Sequence, residues 1–214
     1  MPFDFLKRKK DAPPEGQPVP DAAPEPTGIP FDGLTEDWHL LGRMLVAGRM
    51  SDALNRREPI AIADVTWAPI DGSGPMTPAP GLRSVDPYDL VLVLGGEGSL
   101  PEMTDEERTA HRVHKVAYDV ALEVPPYRVV GTVHLYPGSE PERLLDRSTE
   151  MFLPVVGAVA TMAGAVLGDG SVQVILVNRA YLRGVEQVDV STGEPAQKMP
   201  GAPMGGTNWT DRTR

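Results

Sequence analysis

Apolar residues recur along most of this chain with a period of two, and glycine and proline interrupt the pattern. Residues 59–67 (PIAIADVTW) put Ile60 and Ile62 on one side and Ala61, Ala63 and Val65 on the other. Both sides are apolar, which predicts a central strand. Residues 88–94 (YDLVLVL) predict a second strand, closed by Gly95-Gly96-Glu97-Gly98. Val116, Tyr118, Val120, Leu122 and Val124 alternate with Ala117, Asp119, Ala121 and Glu123. That alternation predicts a half-buried strand, with a helix as the competing reading, and Pro125-Pro126 ends it either way. Segments 127–135, 152–160, 172–177 and 181–190 predict further strands. Short helical pieces fit residues 51–56, 104–114 and 140–147.

Between these elements lie turn formers. An apolar run over 40–46 is broken by Gly48, and a Gly/Pro-rich loop covers 69–87. Gly164 and Gly168-Asp169-Gly170 mark a hairpin turn, because glycine tolerates the positive φ such turns need. The expected organisation is therefore a tip and tether over 1–30, a first β unit over 31–100, a second over 101–190 and a flexible tail over 191–214. Positions 11–30 (DAPPEGQPVPDAAPEPTGIP) are too poor in apolar residues to fold alone and predict a disordered tether.

Composition narrows the function classes. Among 214 residues there are 23 prolines and 22 glycines, which suits short strands and turns rather than a helical bundle. The chain has no cysteine, so disulfides, thiolate nucleophiles and zinc–sulfur sites are out, and the cytoplasm is the expected compartment. A net charge of −10 disfavours a broad phosphate-tracking surface, so nucleic acid is an unlikely partner. Phe3 and Phe5 beside Lys7, Arg8, Lys9 and Lys10 form a basic tip suited to an acidic partner, or to weak contact with the anionic inner face of a membrane. The tip lacks the long apolar run of a signal peptide, and the stretch from Phe152 to Leu167 falls short of a membrane span.

The two halves share an order of features. Gly42 and Gly131 are 89 residues apart, Gly48 and Gly138 are 90, Leu54-Asn55 and Leu145-Asp146 are 91, and the apolar runs 60–62 and 153–155 are 93. Downstream, residues 90–94 resemble 174–178. One such unit buries little surface, and two packed together make a better core. The expectation is a mainly β fold with minor helix: two homologous small β units, packed as a pseudo-symmetric sandwich or barrel-like body.

The segments GRMLVAGRMSDALNRREPIAIADV and GTVHLYPGSEPERLLDRSTEMFLPVVGAV…VQVILVNRAYL resemble a small bacterial β-rich domain family of unknown function, here as two diverged copies. The first keeps Ser51, Asp52, Leu54 and Asn55. The second keeps Pro137-Gly138, Phe152-Leu153-Pro154 and Leu176-Val177-Asn178. The resemblance implies a fold and carries no activity.

Candidate chemistry is sparse. Gly95-Gly96-Glu97-Gly98-Ser99 follows a strand but lacks the Lys-Ser/Thr of a phosphate loop, so a turn is the better reading. His111 and His114 could share a helix face but need a third metal ligand. His39 and His134 sit in or beside strands, in similar places in the two copies. Ser51-Asp52 reads as a helix cap rather than a nucleophile pair. Asp52, Asn55, Asp146 and Asn178 are polar residues beside apolar segments, able to tie loops or line a groove between the units. No catalytic set, cofactor or metal is implied. The expected function is a non-catalytic protein-interaction or scaffold module that associates with itself or a partner. The alternative is a small-ligand-binding protein or hydrolase-like enzyme with its site between the units.

Overall fold

The structure, a computed structural model, describes residues 28–96, 115–146, 150–168, 172–189 and 195. The first half contains β1 (Ile29–Leu34), β2 (Trp38–Met44), α1 (Met50–Asn55), β3 (Ile60–Pro69), β4 (Thr77–Pro78), β5 (Ser84–Val85) and β6 (Leu92–Gly95). The second contains β7 (Val116–Val124), β8 (Tyr127–Leu135), β9 (Phe152–Met162), β10 (Ala165–Leu167), β11 (Val174–Asn178) and β12 (Gly184–Gln187). Short 3-10 turns occupy Pro87–Asp89 and Pro141–Leu145. No helix among the described residues is long and apolar enough to cross a membrane.

All these strands belong to one antiparallel twelve-stranded sheet, ordered β12-β7-β8-β9-β11-β6-β1-β2-β3-β4, with β10 on β9 and β5 on β3. The halves thus share one continuous sheet, and it does not close into the expected barrel. The cause is the pairing of β6 with β11, Val174↔Gly95 through Val177↔Leu92, which joins the halves edge to edge. Within each half the same pairings occur. The first has β1–β2, β2–β3, β3–β4, β3–β5 and β1–β6. The second has β7–β8, β8–β9, β9–β10, β9–β11 and β7–β12.

The side-chain period of two divides the core between the sheet's faces. Along β6, Leu92 and Leu94 enter one cluster with Val120, Leu122, Val129, Val155 and Ile175, while Val93 enters a second. That second cluster holds Phe31, Met44, Leu54, Ile62, Phe152 and Leu176. β11 splits the same way, Ile175 and Val177 against Val174 and Leu176. Strands apolar on both faces are what residues 90–94 and 174–178 predict, and each fully buried side chain contributes roughly 1.5–3 kcal/mol.

A bulge stands at the same place in each half. The β2–β3 register slips between Leu41 and Arg43, and the β8–β9 register between Val130 and Thr132. The residues skipped are Gly42 and Gly131. A methyl group on Gly42 would lie 2.8 Å from the Ala63 carbonyl oxygen, and one on Gly131 2.8 Å from Ala158 Cα. Opposite them, Asp64 and Gly157 take positive φ, 53° and 56°. The bulged residue of such a motif often needs that conformation.

Several sequence expectations need correcting. Residues 90–94 and 174–178 are hydrogen-bonded neighbours, and the strand that holds the place of β6 in the second half is β12, beside β7. Leu54 is buried but Leu145 is exposed, and Leu144 fills the equivalent inward position. α1 begins at Met50 with Arg49 in the cap position, so Ser51 and Asp52 lie inside the first turn and cap nothing. The 69–87 loop contains β4 and β5, and Tyr88 belongs to a 3-10 turn rather than a strand. His39 precedes its bulge glycine by three residues and His134 follows its own by three, so the two do not correspond. The helix expected over 104–114 lies outside the described residues.

Candidate functional site

Two regions gather polar side chains. The first is the junction of the halves. Asn178 is fully buried at the end of β11. Its Nδ2 donates to the carbonyls of Leu90 (2.7 Å) and Pro87 (3.3 Å), and its Oδ1 accepts from Ala180 N–H at 2.9 Å. Asn55, at the end of α1, accepts from Phe152 N–H at 2.8 Å and donates to its carbonyl at 3.4 Å. Tyr127 donates to the Thr35 carbonyl and Tyr181 to that of Tyr88, at 3.0 Å for the latter. Burial, then the negative Asp37 and Glu36, pushes the Tyr127 hydroxyl pKa well above its ordinary value. These groups answer backbone donors and acceptors, as buried polar groups must.

The second region is a cleft of about 420 Å³ within the second half, beside the Pro141–Leu145 turn. Buried Leu144 and Leu153, with exposed Pro154 and Val156, form an apolar floor. Lys115, His134, Arg143 and Arg179 supply cationic or basic groups, and Glu140, Asp146 and Glu150 supply carboxylates. Tyr136, 60% exposed, stands at the mouth, with the Lys115 ammonium 5.4 Å from its ring centre, a cation–π distance. Arg179 donates to the Asp146 carbonyl at 3.1 Å. Burial lowers the pKa of its guanidinium below the ordinary value, while Glu150 and Asp146 oppose that shift. The arrangement can hold an apolar group while offering both signs of charge around it.

The sequence-selected residues divide accordingly. Asn55 and Asn178 both lie at the junction, one bonded to Phe152 and the other its register partner, and tie backbone rather than line a groove. Asp146 lines the cleft. Asp52 is exposed on α1. Phe3, Phe5, Lys7, Arg8, Lys9 and Lys10 lie outside the described residues, as do His111, His114, Glu97 to Ser99, Asp169 and Gly170. His39 Nε2 stands 2.7 Å from Asp32 Oδ1 across β1 and β2. Lys115, Tyr136, Arg143 and Arg179 were not legible as a site, because four separate elements bring them together. A tyrosine directly before the Pro137-Gly138 turn was the available signal. Among the described residues no group of three or more His, Asp or Glu side chains is placed to hold a metal ion.

Compared with family models, with curated proteins and with solved structures, the chain shows no match.

Proposed function

We propose that this protein is a non-catalytic protein-interaction module whose working site is the cleft beside the Pro141–Leu145 turn. The observation that carries the reading is the make-up of the cleft: a floor of Leu144, Leu153, Pro154 and Val156 under a rim of both charges. Binding sites for protein segments combine an apolar anchor pocket with a polar rim, and tyrosine and arginine recur at their hot spots. Tyr136 and Arg143 supply those residue types. The partner is a protein segment that inserts one apolar side chain and places charges beside it. A second copy of this chain is the simplest source.

The test is photo-crosslinking in the native cells. Full-length protein carries a photoreactive phenylalanine analogue at Tyr136, or at Tyr88, which is exposed but outside the cleft. A discrete protein adduct from position 136 alone supports the reading, and an adduct with the chain itself identifies self-association. Equal or absent adducts at the two positions overturn it.

A second reading rests on the convergence of Lys115, Arg143 and Arg179 on one cleft. Its volume suits a small anionic molecule. Native mass spectrometry of the purified full chain would then show a co-purifying small ligand, lost in Arg143→Ala.

We also infer that the two halves are diverged copies of one unit. The repeated pairings and the two matching bulges support this, as does an offset that grows through small insertions.

A further inference from the structure

Two tryptophans stand together on the surface at one corner of the first half. Trp38 opens β2 and Trp67 lies near the end of β3, with Pro69 and Leu40 as their respective register partners. Their rings are stacked, with centroids 4.8 Å apart and planes 19° from parallel. Leu40 is buried, but Trp38 and Trp67 are 39% and 38% exposed, so the pair carries the apolar face beyond the end of the core. A cross-strand aromatic pair stabilises a sheet. That role leaves the outer indole surface unused.

Carboxylates stand around this corner. Glu36 and Asp37 are exposed at the β1–β2 turn, directly before Trp38. The turn is firmly held. Thr35 Oγ1 accepts from the N–H groups of Asp37 (3.2 Å) and Trp38 (2.8 Å), the Asp37 carbonyl accepts from Ile70 N–H at 2.9 Å, and Tyr127 donates to the Thr35 carbonyl. Asp71, next to Ile70, adds a third exposed carboxylate. The negative field extends further: burial first, then Glu36 and Asp89, raise the pKa of the Tyr181 hydroxyl. The arginines of residues 28–96 lie toward the opposite end of the same strands. Arg43, near the far end of β2, donates to the Gly28 carbonyl at 2.7 Å. Arg49, Arg56 and Arg57 flank α1, and the Arg83 carbonyl accepts from Ile62, near the start of β3.

We propose that the Trp38–Trp67 corner is a second docking site, which takes an arginine-bearing basic segment of a partner protein. None of its residues lines the cleft beside the Pro141–Leu145 turn. Charge complementarity sets the choice of partner. An exposed indole accepts a cation against its face, and the carboxylates beside it favour that cation over a neutral group. Arginine fits better than lysine, because its planar guanidinium lies flat on an indole and still donates to a carboxylate. The held turn presents Glu36 and Asp37 already ordered, which lowers the cost of binding. Tryptophan is also a residue on which binding energy concentrates.

The test uses full-length protein labelled with fluorotryptophan and followed by fluorine NMR. It is titrated with the blocked peptide Gly-Arg-Gly-Arg-Gly, with its lysine counterpart and with cellotetraose. The Trp38 and Trp67 resonances, assigned by single Trp→Phe substitutions, should move with the arginine peptide at millimolar concentration. The lysine peptide should bind about threefold or more weakly than the arginine peptide. Glu36→Gln combined with Asp37→Asn should weaken the arginine peptide by about fivefold or more. That variant keeps the Thr35 bonds, and unshifted indole resonances in the free protein show that its stack is intact. No movement with the arginine peptide, equal affinity for the two peptides, unchanged affinity in the double variant, or movement with cellotetraose alone overturns the proposal.

Discussion

The side-chain amide of Asn55 engages both backbone groups of Phe152, 97 residues further along the chain. Phe152 is at the same time the register partner of Asn178, whose own amide reaches back to the Pro87–Leu90 turn of the first half. Asn55 therefore holds Phe152 through its side chain, while Asn178 faces it in the ladder and ties the same strand end to the first half. The entry of β9 into the sheet is set by side-chain bonds as well as by the β-ladder.

Asn55→Ala leaves the N–H and C=O of Phe152, a residue with no exposed surface, without their partner. Stranding buried backbone groups costs about 1–3 kcal/mol. Urea denaturation should show that loss, with Asp52→Ala, on the exposed side of the same helix, changing stability by less than about 0.5 kcal/mol. Equal effects of the two substitutions would remove Asn55 from the junction.

The bulge glycines are separable from the turn glycines. A Cβ on Gly131 meets Ala158 Cα and Cβ at 2.8 Å and Val155 Cγ1 at 2.9 Å, whereas one on Gly48 meets nothing within 4 Å. Gly131→Ala must push two strands apart, at about 1–3 kcal/mol. Gly48→Ala incurs conformational strain alone, about 1 kcal/mol, from its φ of 89°. Thermal unfolding of both variants should rank them in that order.

Much of this architecture was legible. Period-two alternation marked the strands at 60–67, 116–124, 127–135 and 152–160, and doubly apolar runs marked the two strands at the centre. The two matching bulges were visible in their glycines, since Gly42 and Gly131 answer a steric demand that admits no side chain. The pairing of β6 with β11 was not legible. Similar apolar sequences serve equally well as counterparts or as neighbours, and only the long-range register decides. β4 and β5 were hidden because two-residue strands carry no period. For the site, Asn178 was visible as a lone amide after an apolar run. The cleft was not, because its charges come from separate elements that look like ordinary solvated surface.

Tyr127 predicts an alkaline limit. Its hydroxyl, bonded to the Thr35 carbonyl, ionises above its ordinary pKa of 10.0 in the folded protein. The unfolded chain releases that proton more readily. The contribution is therefore complete below about pH 10 and is lost as pH rises through the folded pKa. Tyr127→Phe should lower stability at neutral pH by about 1 kcal/mol, for the lost hydrogen bond. It should also lose less than the parent between about pH 9 and pH 11. Urea midpoints at these values check it, and parallel declines would show that Tyr127 is not the group responsible.

Asp64 and Gly157 test whether the two bulges are one device. Both hold positive φ, 53° and 56°, yet one carries a side chain and the other none. Aspartate tolerates this conformation better than most residues, and a β-branched side chain is a poor fit. Around Gly157 no atom lies within 4 Å of an added Cβ, so the cost of substitution there is conformational rather than steric. Gly157→Asp should then be tolerated within about 1 kcal/mol, while Gly157→Val costs about 1–2 kcal/mol more. Asp64→Gly should be near neutral, because relief of the strained φ offsets the entropy that glycine loses on folding. Asp64→Val should fall below both. The same rank at both sites, glycine and aspartate above valine, is what a shared bulge requires. If aspartate and valine cost the same at position 157, backbone conformation does not govern that site, and the matching φ values are coincidence.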